Sequence, residues 1–72
     1  MREWLVEKRK EMSKTQGDTA SKAKISRSMY TMIENGERNP SVSVAKNIAI
    51  VLSFDWTLFL NINVTFRVFF KG

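Results

Sequence analysis

The sequence predicts a small all-α domain of five helices, followed by a C-terminal segment with a different pattern. Apolar residues recur at helical spacing along most of the chain, and residues that favour helix N-termini stand before several of these stretches. A length of 72 residues leaves room for one core only. The composition, 43% hydrophobic and 26% charged, is typical of a soluble globular domain rather than a disordered chain.

The first two predicted helices span residues 2–12 and 16–23. Leu5 lies on an apolar stripe of the first helix, whose glutamates are each one turn from a cation. Thr15 is a good N-cap for the second helix, and Asp18 stands three residues later, as in a capping box. A short turn is therefore expected to separate the two helices.

The next two predicted helices span residues 27–35 and 42–52. Ser26 and Ser41 are suited to cap their N-termini. Gly36 can adopt the left-handed conformation that ends a helix. These signals predict a helix, an exposed loop and a second, more apolar helix.

Asp55 is expected to cap a fifth short helix, residues 56–60, whose aromatic side chains help to close the core. We therefore expect residues 1–60 to form the domain.

Residues 61–72 change to a period of two, with β-branched and aromatic residues on one face: Ile62, Val64, Phe66, Val68 and Phe70. This alternation predicts a β-strand, which needs a partner for its backbone groups, so the segment is a candidate dimerisation element. The alternative is a tail whose phenylalanines fold over the helices.

The residue types restrict the function. The chain has no cysteine and no histidine, so we expect no disulfide, no finger-type zinc site and no histidine catalysis. No nucleotide-binding fingerprint or nucleophile–base pair is present, so we expect no catalytic residues, no metal and no cofactor. No apolar run is long enough to span a bilayer and no signal peptide is visible, which favours a cytoplasmic protein.

The charge of the chain indicates what it binds. A net charge of +5 and a pI near 10.0 favour a polyanionic partner, with nucleic acid first and an anionic membrane surface second. The membrane reading is weaker, because the first predicted helix lacks a large aromatic face and its glutamates dilute its positive charge.

Several motifs stand at fixed spacing between residues 15 and 41: Thr15-Gln16, Ala20, the run from Ile25 to Ser28, and the run from Ile33 to Gly36. They resemble the helix-turn-helix region of the Cro/cI repressor family, also called the xenobiotic response element (XRE) family, of phage and bacterial transcriptional regulators. Counting the outer helices, the similarity covers about residues 2 to 60. The resemblance implies a recognition helix, residues 27–35, that lies in the DNA major groove.

The predicted contacts to bases come from one face of that recognition helix. Arg27 and Ser28 occupy its first two positions, where side chains reach base edges, and an arginine suits bidentate contact with guanine. Thr31 and Met32 lie one turn further along the same face. Met32 suits apolar contact with DNA, but it is equally suited to packing against a neighbouring helix.

The predicted contacts to phosphates flank this face. The resemblance implies phosphate contacts by Gln16, at the start of the second helix, and by Asn35. Ser26 is a further candidate, although capping alone explains its presence, and Arg38 fits electrostatically. The resemblance also implies a structural ion pair between Arg9 and Glu34.

Some positions depart from the family pattern. Lysines and a threonine stand where the family often has apolar residues, at Lys8, Lys14 and Thr19, Lys24 replaces the usual turn glycine, and Ala23 is smaller than common. These changes thin the packing around the second helix, so we expect stability to depend on the aromatic residues Trp4, Phe54, Trp56 and Phe59 or on the C-terminal segment.

Two functional hypotheses follow. The first is a sequence-specific transcriptional regulator of phage, prophage or bacterial origin, a repressor or Cro-like protein. It binds double-stranded DNA as a homodimer on a near-palindromic operator and needs no small-molecule ligand. The second is a protein-interaction module such as an antitoxin-like subunit, which binds another protein through its C-terminal apolar segment.

Overall fold

The structure, a computed structural model, describes residues 1–63, and the side chains of residues 1–60. In order, the elements are α1 (Glu3–Glu11), α2 (Gln16–Ala23), α3 (Arg27–Asn35), α4 (Val42–Leu52) and a 3-10 helix (Trp56–Asn63). The described residues contain no strand, so the all-helical prediction is confirmed for them. Three of the four α-helices have the predicted limits, and α1 is shorter by one residue at each end.

Side-chain caps explain why these limits were predictable. The hydroxyl groups of Thr15, Ser26 and Ser41 each accept a hydrogen bond from the backbone N–H three residues later, at 3.0, 3.0 and 3.2 Å. Each bond satisfies one of the amides that a helix N-terminus leaves without an intrahelical partner. The predicted N-caps of α2, α3 and α4 are therefore confirmed.

Helices α2, α3 and α4 each end at a residue in the left-handed conformation. Gly36, with φ of 81°, ends α3, as expected for a residue without a Cβ atom. Lys24 ends α2 with φ of 64°, at the position where the related family has glycine. This conformation disfavours a lysine, so the α2–α3 turn carries strain that a glycine would not.

The core lies between all five elements. The buried apolar residues are Leu5, Ala20, Ala23, Tyr30, Ile33, Ala45, Ile48, Leu52 and Phe59. Helix α2 packs against α3 and α4, α4 also packs against the 3-10 helix, and α1 packs against α3. Small alanines on α2 permit this close approach, and the buried Thr19 hydroxyl donates to the Thr15 carbonyl at 2.9 Å. A polar residue is thus accommodated where the family often has an apolar one.

An aromatic cluster joins the two ends of the described chain. The Trp4 ring meets the rings of Phe54 and Phe59 edge to face, with centroids 5.4 and 5.0 Å apart. Trp56 packs against the core, and the Lys46 ammonium lies 5.4 Å from its ring centroid. Such pairs add to the stabilisation that burial provides. This packing is consistent with the prediction that the stability of the domain depends on these aromatic residues.

The end of the domain differs from the prediction. The fifth helix is a 3-10 helix rather than an α-helix, and it extends to Asn63, so residues 61–63 do not begin a strand. The reason is local: the Asp55 carboxylate accepts hydrogen bonds from the Thr57 amide and hydroxyl, and its carbonyl accepts from the Leu58 amide at 2.9 Å, an i to i+3 bond. The remainder of the predicted strand, including Val64, Phe66, Val68 and Phe70, lies outside the described residues. No helix within residues 1–63 is long and apolar enough to cross a bilayer.

Candidate nucleic-acid interface

Helix α3 has two faces of different character. Tyr30, Ile33 and Glu34 are buried and fix the helix to the domain. Arg27 and Ser28, at its first two positions, are exposed and lie on the face away from these buried residues. This separation follows from the 3.6-residue period, which brings residues three and four apart to the same face.

The exposed face of α3 forms an open concavity with the start of α2. Its volume is about 470 Å³, and it is lined by Gln16, Arg27, Ser28, Thr31 and Met32. All four predicted base-contact residues therefore lie together, with the glutamine of α2 at their edge. Met32 is half-buried and lines this concavity.

The Gln16 side chain is oriented by hydrogen bonds within the domain. Its Nε2 donates to Glu34 Oε1 at 2.9 Å, and its Oε1 accepts from the Thr31 hydroxyl at 3.3 Å. An amide group has a second N–H and a second lone pair, so one donor and one acceptor position remain beyond these two bonds. The sequence did not reveal this link between α2 and α3, because the bonds join residues 18 and 15 positions apart.

Arg9 and Glu34 form an ion pair that joins α1 to α3. Arg9 Nε lies 2.6 Å from Glu34 Oε2, and Arg9 Nη1 also donates to the Lys14 carbonyl at 2.9 Å. Burial raises the pKa of the Glu34 carboxyl, but hydrogen bonds from Arg9 and Gln16 lower it by more, so it stays below its usual value. The carboxylate beside Arg9 raises the pKa of the guanidinium. The pair is therefore fully ionised at neutral pH.

Tyr30 lies on the same buried side of α3. Among residues 1–60 its hydroxyl is the buried side-chain polar atom that has no hydrogen-bond partner. Burial, and then the nearby Glu34 carboxylate, raise the pKa of this phenol. Tyr30 is thus neutral and acts as a core residue rather than as part of the exposed face.

The other end of α3 carries the remaining predicted phosphate contacts. Asn35 and Arg38 are exposed, with side chains available to solvent. The amides of Gly36, Glu37 and Arg38 instead donate to carbonyls of α3, at 3.2, 2.9 and 3.3 Å. At the opposite end, Ser26 is exposed and its oxygen already accepts the capping bond, which leaves its hydroxyl hydrogen free to donate.

Arg2 is a further residue at this end of α3, and its role was not apparent from the sequence. Its backbone N–H donates to the Glu34 carbonyl at 2.7 Å, and its guanidinium donates to the Ile33 carbonyl, to the Arg38 carbonyl at 3.1 Å and to Asn39 Oδ1. One signal was present, because the last turn of α3 contains no basic residue of its own. The pairing itself spans more than thirty positions, and no local pattern predicts it.

The described residues contain no group of three or more acidic side chains that could hold a metal ion. The concavity between α2 and α3 presents one exposed arginine, small hydroxyl groups, a methionine and an oriented amide.

Comparison with known proteins identifies this arrangement. A family model described as helix-turn-helix matches residues 5–59. The chain is similar to YqaF of Bacillus subtilis (strain 168), an uncharacterised HTH-type transcriptional regulator, with 54% identity over 59 residues that cover 82% of this chain and 78% of the relative. No solved structure gives a significant match. The resemblance predicted from residues 15–41 is confirmed, and the chain belongs to the helix-turn-helix family of the Cro/cI type, a non-enzymatic, DNA-binding kind of transcriptional regulator.

Proposed function

We propose that this protein is a sequence-specific regulator of transcription that places α3 in the major groove of double-stranded DNA. The observation that carries the proposal is the division of α3 into a buried face and an exposed face that lines a concavity with α2. A helix that reads DNA needs both, because it must be held rigidly by the domain while its other side chains reach the base edges. The net charge of +5 favours the same partner.

Arg27 is the proposed principal reader of sequence. It is the first residue of α3 and is exposed, with no hydrogen bond or ion pair found for it within the described residues. An arginine in this position is suited to guanine O6 and N7, a contact that contributes about 1–3 kcal/mol of discrimination. Ser28 is its neighbour at the base edges, and Thr31 and Met32 contact thymine methyl groups or the adjacent backbone.

Phosphate contacts on both sides of α3 fix the orientation of the helix. On one side the proposed ligands are Gln16, at the N-terminus of α2, and Ser26. Free amides and the positive end of the α2 dipole attract a phosphate there. On the other side they are Asn35 and Arg38, both exposed. Such contacts add affinity that does not depend on base sequence.

The proposed assembly is a homodimer that binds a near-palindromic operator as a phage or prophage repressor in the bacterial cytoplasm. Residues 1–60 are the DNA-binding domain, and residues 61–72 are the proposed dimerisation element. Val42 and Ile50 on α4 are apolar and 55% and 77% exposed, so this helix offers apolar surface that a second copy would cover. A dimer places two recognition helices about 34 Å apart, one turn of DNA.

The test is selection of bound sequences from a random pool of DNA, followed by affinity measurements at several salt concentrations. The wild type should enrich one motif, and Arg27→Ala should lose preference at one base position by about 1–3 kcal/mol. Gln16→Ala should instead weaken binding to all sequences alike. Lys10→Ala is the matched control for loss of a positive charge, because Lys10 is exposed on α1 and should not change the motif. A pool without enrichment would contradict sequence-specific regulation.

Measurement of molecular mass in solution tests the assembly. A dimer that binds one operator supports the repressor proposal, and charged substitutions at Phe66 and Phe70 should dissociate it. A monomer that fails to enrich DNA and forms a complex only with a different protein would favour the antitoxin-like alternative.

A further inference from the structure

We infer that Arg2 is a positioning residue for DNA binding: its guanidinium fixes the loop of residues 36–39 to the end of α3 and so holds Arg38 where it meets a phosphate. The inference rests on the proposed DNA-binding function. Its basis is a set of contacts that join one side chain to the recognition helix, to the loop after it and to the aromatic cluster.

The end of α3 attracts a cation. The carbonyls in the last turn of a helix carry partial negative charge, and a basic residue near them is stabilising. The last turn of α3 has no such residue, and Arg2 supplies it from the start of the chain. Its side chain donates to the Ile33 carbonyl, and its backbone N–H donates to the next carbonyl, that of Glu34.

The same guanidinium also binds the loop. It donates to the Arg38 carbonyl at 3.1 Å and to the side-chain oxygen of Asn39. Residues 37–39 are exposed, so packing contributes little to their conformation. Together with the loop amides that donate to carbonyls of α3, Arg2 therefore fixes the backbone position from which the Arg38 side chain extends.

An arginine is needed for this set of contacts. The planar guanidinium donates in several fixed directions at once, whereas a lysine ammonium is a flexible point charge. The guanidinium carbon of Arg2 also lies 5.6 Å from the centroid of the Phe59 ring. Burial lowers the pKa of Arg2, which reflects a group partly enclosed by these neighbours rather than a solvated surface charge.

The experiment is a double-mutant cycle between Arg2 and Arg38, read as affinity for the DNA sequence enriched from the random pool. Arg38→Ala alone should weaken binding about three- to tenfold, as for loss of one hydrogen-bonded contact. Arg2→Lys keeps the positive charge but loses the planar group that donates in several directions. It should weaken binding by a similar factor without changing the preferred motif. In the Arg2→Lys background, Arg38→Ala should cost less than about twofold, because Arg38 is no longer held in place.

Asn39→Ala removes the loop partner of Arg2 and should show the same coupling with Arg38. Since Asn39 is exposed, this variant decides the question if Arg2→Lys does not fold. Asn47→Ala is the matched control: it removes a hydrogen bond from α4 to the Ala23 carbonyl, 3.4 Å long, and should lower stability without coupling to Arg38.

The possible outcomes are distinct. Suppose that all proteins fold and the wild type binds DNA, but Arg38→Ala lowers the affinity by the same factor in the wild-type and variant backgrounds. This result would overturn the inference about Arg2 and leave the proposed function intact. A shift of the preferred motif in Arg2→Lys would also overturn this inference, because a residue that positions a phosphate contact does not read bases. A wild type that binds no DNA would overturn the proposed function together with this inference.

Discussion

Removal of Arg9 gives the sharpest test of how α3 is held. In Arg9→Met the Glu34 carboxylate, which is 1% exposed, loses its ion-pair partner and keeps the hydrogen bond from Gln16. Loss of one partner of a buried ion pair costs about 3–5 kcal/mol. A domain of 72 residues has a total stability of roughly 4–11 kcal/mol, so the variant is expected to lie near the threshold of folding.

The effect of Arg9→Met should depend on pH. In the wild type the pKa of Glu34 lies below its unfolded value of about 4.3, so the pair stabilises the fold above that pH and the contribution is lost as the pH falls through the folded pKa. In Arg9→Met the folded pKa of Glu34 should instead lie above the unfolded value, because burial raises the pKa of a carboxyl that has lost its arginine partner. The free-energy cost of burying the unpaired carboxylate is then complete at neutral pH, and it decreases as the pH falls through the raised pKa and the carboxyl takes up a proton.

Urea unfolding followed by tryptophan fluorescence measures this difference, since Trp4 lies within the aromatic cluster. The difference in unfolding free energy between wild type and Arg9→Met should be largest at pH 7 and smaller at pH 4.5. Lys8→Met is the control: it removes an exposed pair with Glu11 at 3.9 Å and should change stability by less than about 0.5 kcal/mol. A loss below 1 kcal/mol for Arg9→Met, or one that does not vary with pH, would refute this account of the pair.

Three further substitutions, two of them paired with a control variant, test the helix ends and the core by the same unfolding measurement. Lys24→Gly should stabilise the domain by about 1 kcal/mol by removing left-handed strain, whereas the control Lys22→Gly, inside α2, should destabilise it by a similar amount. If both variants changed the unfolding free energy in the same direction, Lys24 would not be strained. Ser26→Ala should cost about 1 kcal/mol through loss of the α3 cap, and Ser28→Ala less than about 0.5 kcal/mol, so a reversed order would contradict the assigned cap. Phe59→Ala should cost about 3–5 kcal/mol, because it empties the centre of the aromatic cluster; a loss below 1 kcal/mol would mean that this cluster does not support the fold.

The parts of the fold that the sequence predicted correctly depend on local interactions. Thr15, Ser26 and Ser41 each bond to an amide three residues away, so the start of a helix is encoded within one turn. Gly36 marks the end of α3 for the same reason. The division of α3 into two faces also follows from spacing alone.

The type of the last helix was not predictable in this way. Alternating apolar residues from Ile62 onward suggest a strand, while the turn that Asp55 starts favours i to i+3 bonds that continue to Asn63. Both signals are short, and a pattern of period two competes with one of period three over the same residues. The local turn prevails over residues 61–63.

The contacts that orient the candidate site were the least predictable, because they join residues far apart in the chain. Gln16 bonds to Glu34 and Thr31, and Arg2 bonds to Ile33 and to the loop beyond it. Sequence periodicity indicates which face of a helix is exposed, but it does not indicate which long polar side chain from another element reaches it.

These long-range contacts explain how a domain with thin packing around α2 can present a rigid recognition helix. Small residues on α2, such as Ala20 and Ala23, supply little apolar area, so burial alone holds α3 weakly against it. Polar contacts act at both ends instead: Arg9, Glu34 and Gln16 join α3 to α1 and α2, and Arg2 fixes its C-terminal turn. Hydrogen bonds are directional, whereas apolar packing is not, so the buried bond between Arg9 and Glu34 restricts the rotation of α3 about its own axis. A restricted rotation keeps Arg27 and Ser28 in one register, which is what discrimination between base pairs requires.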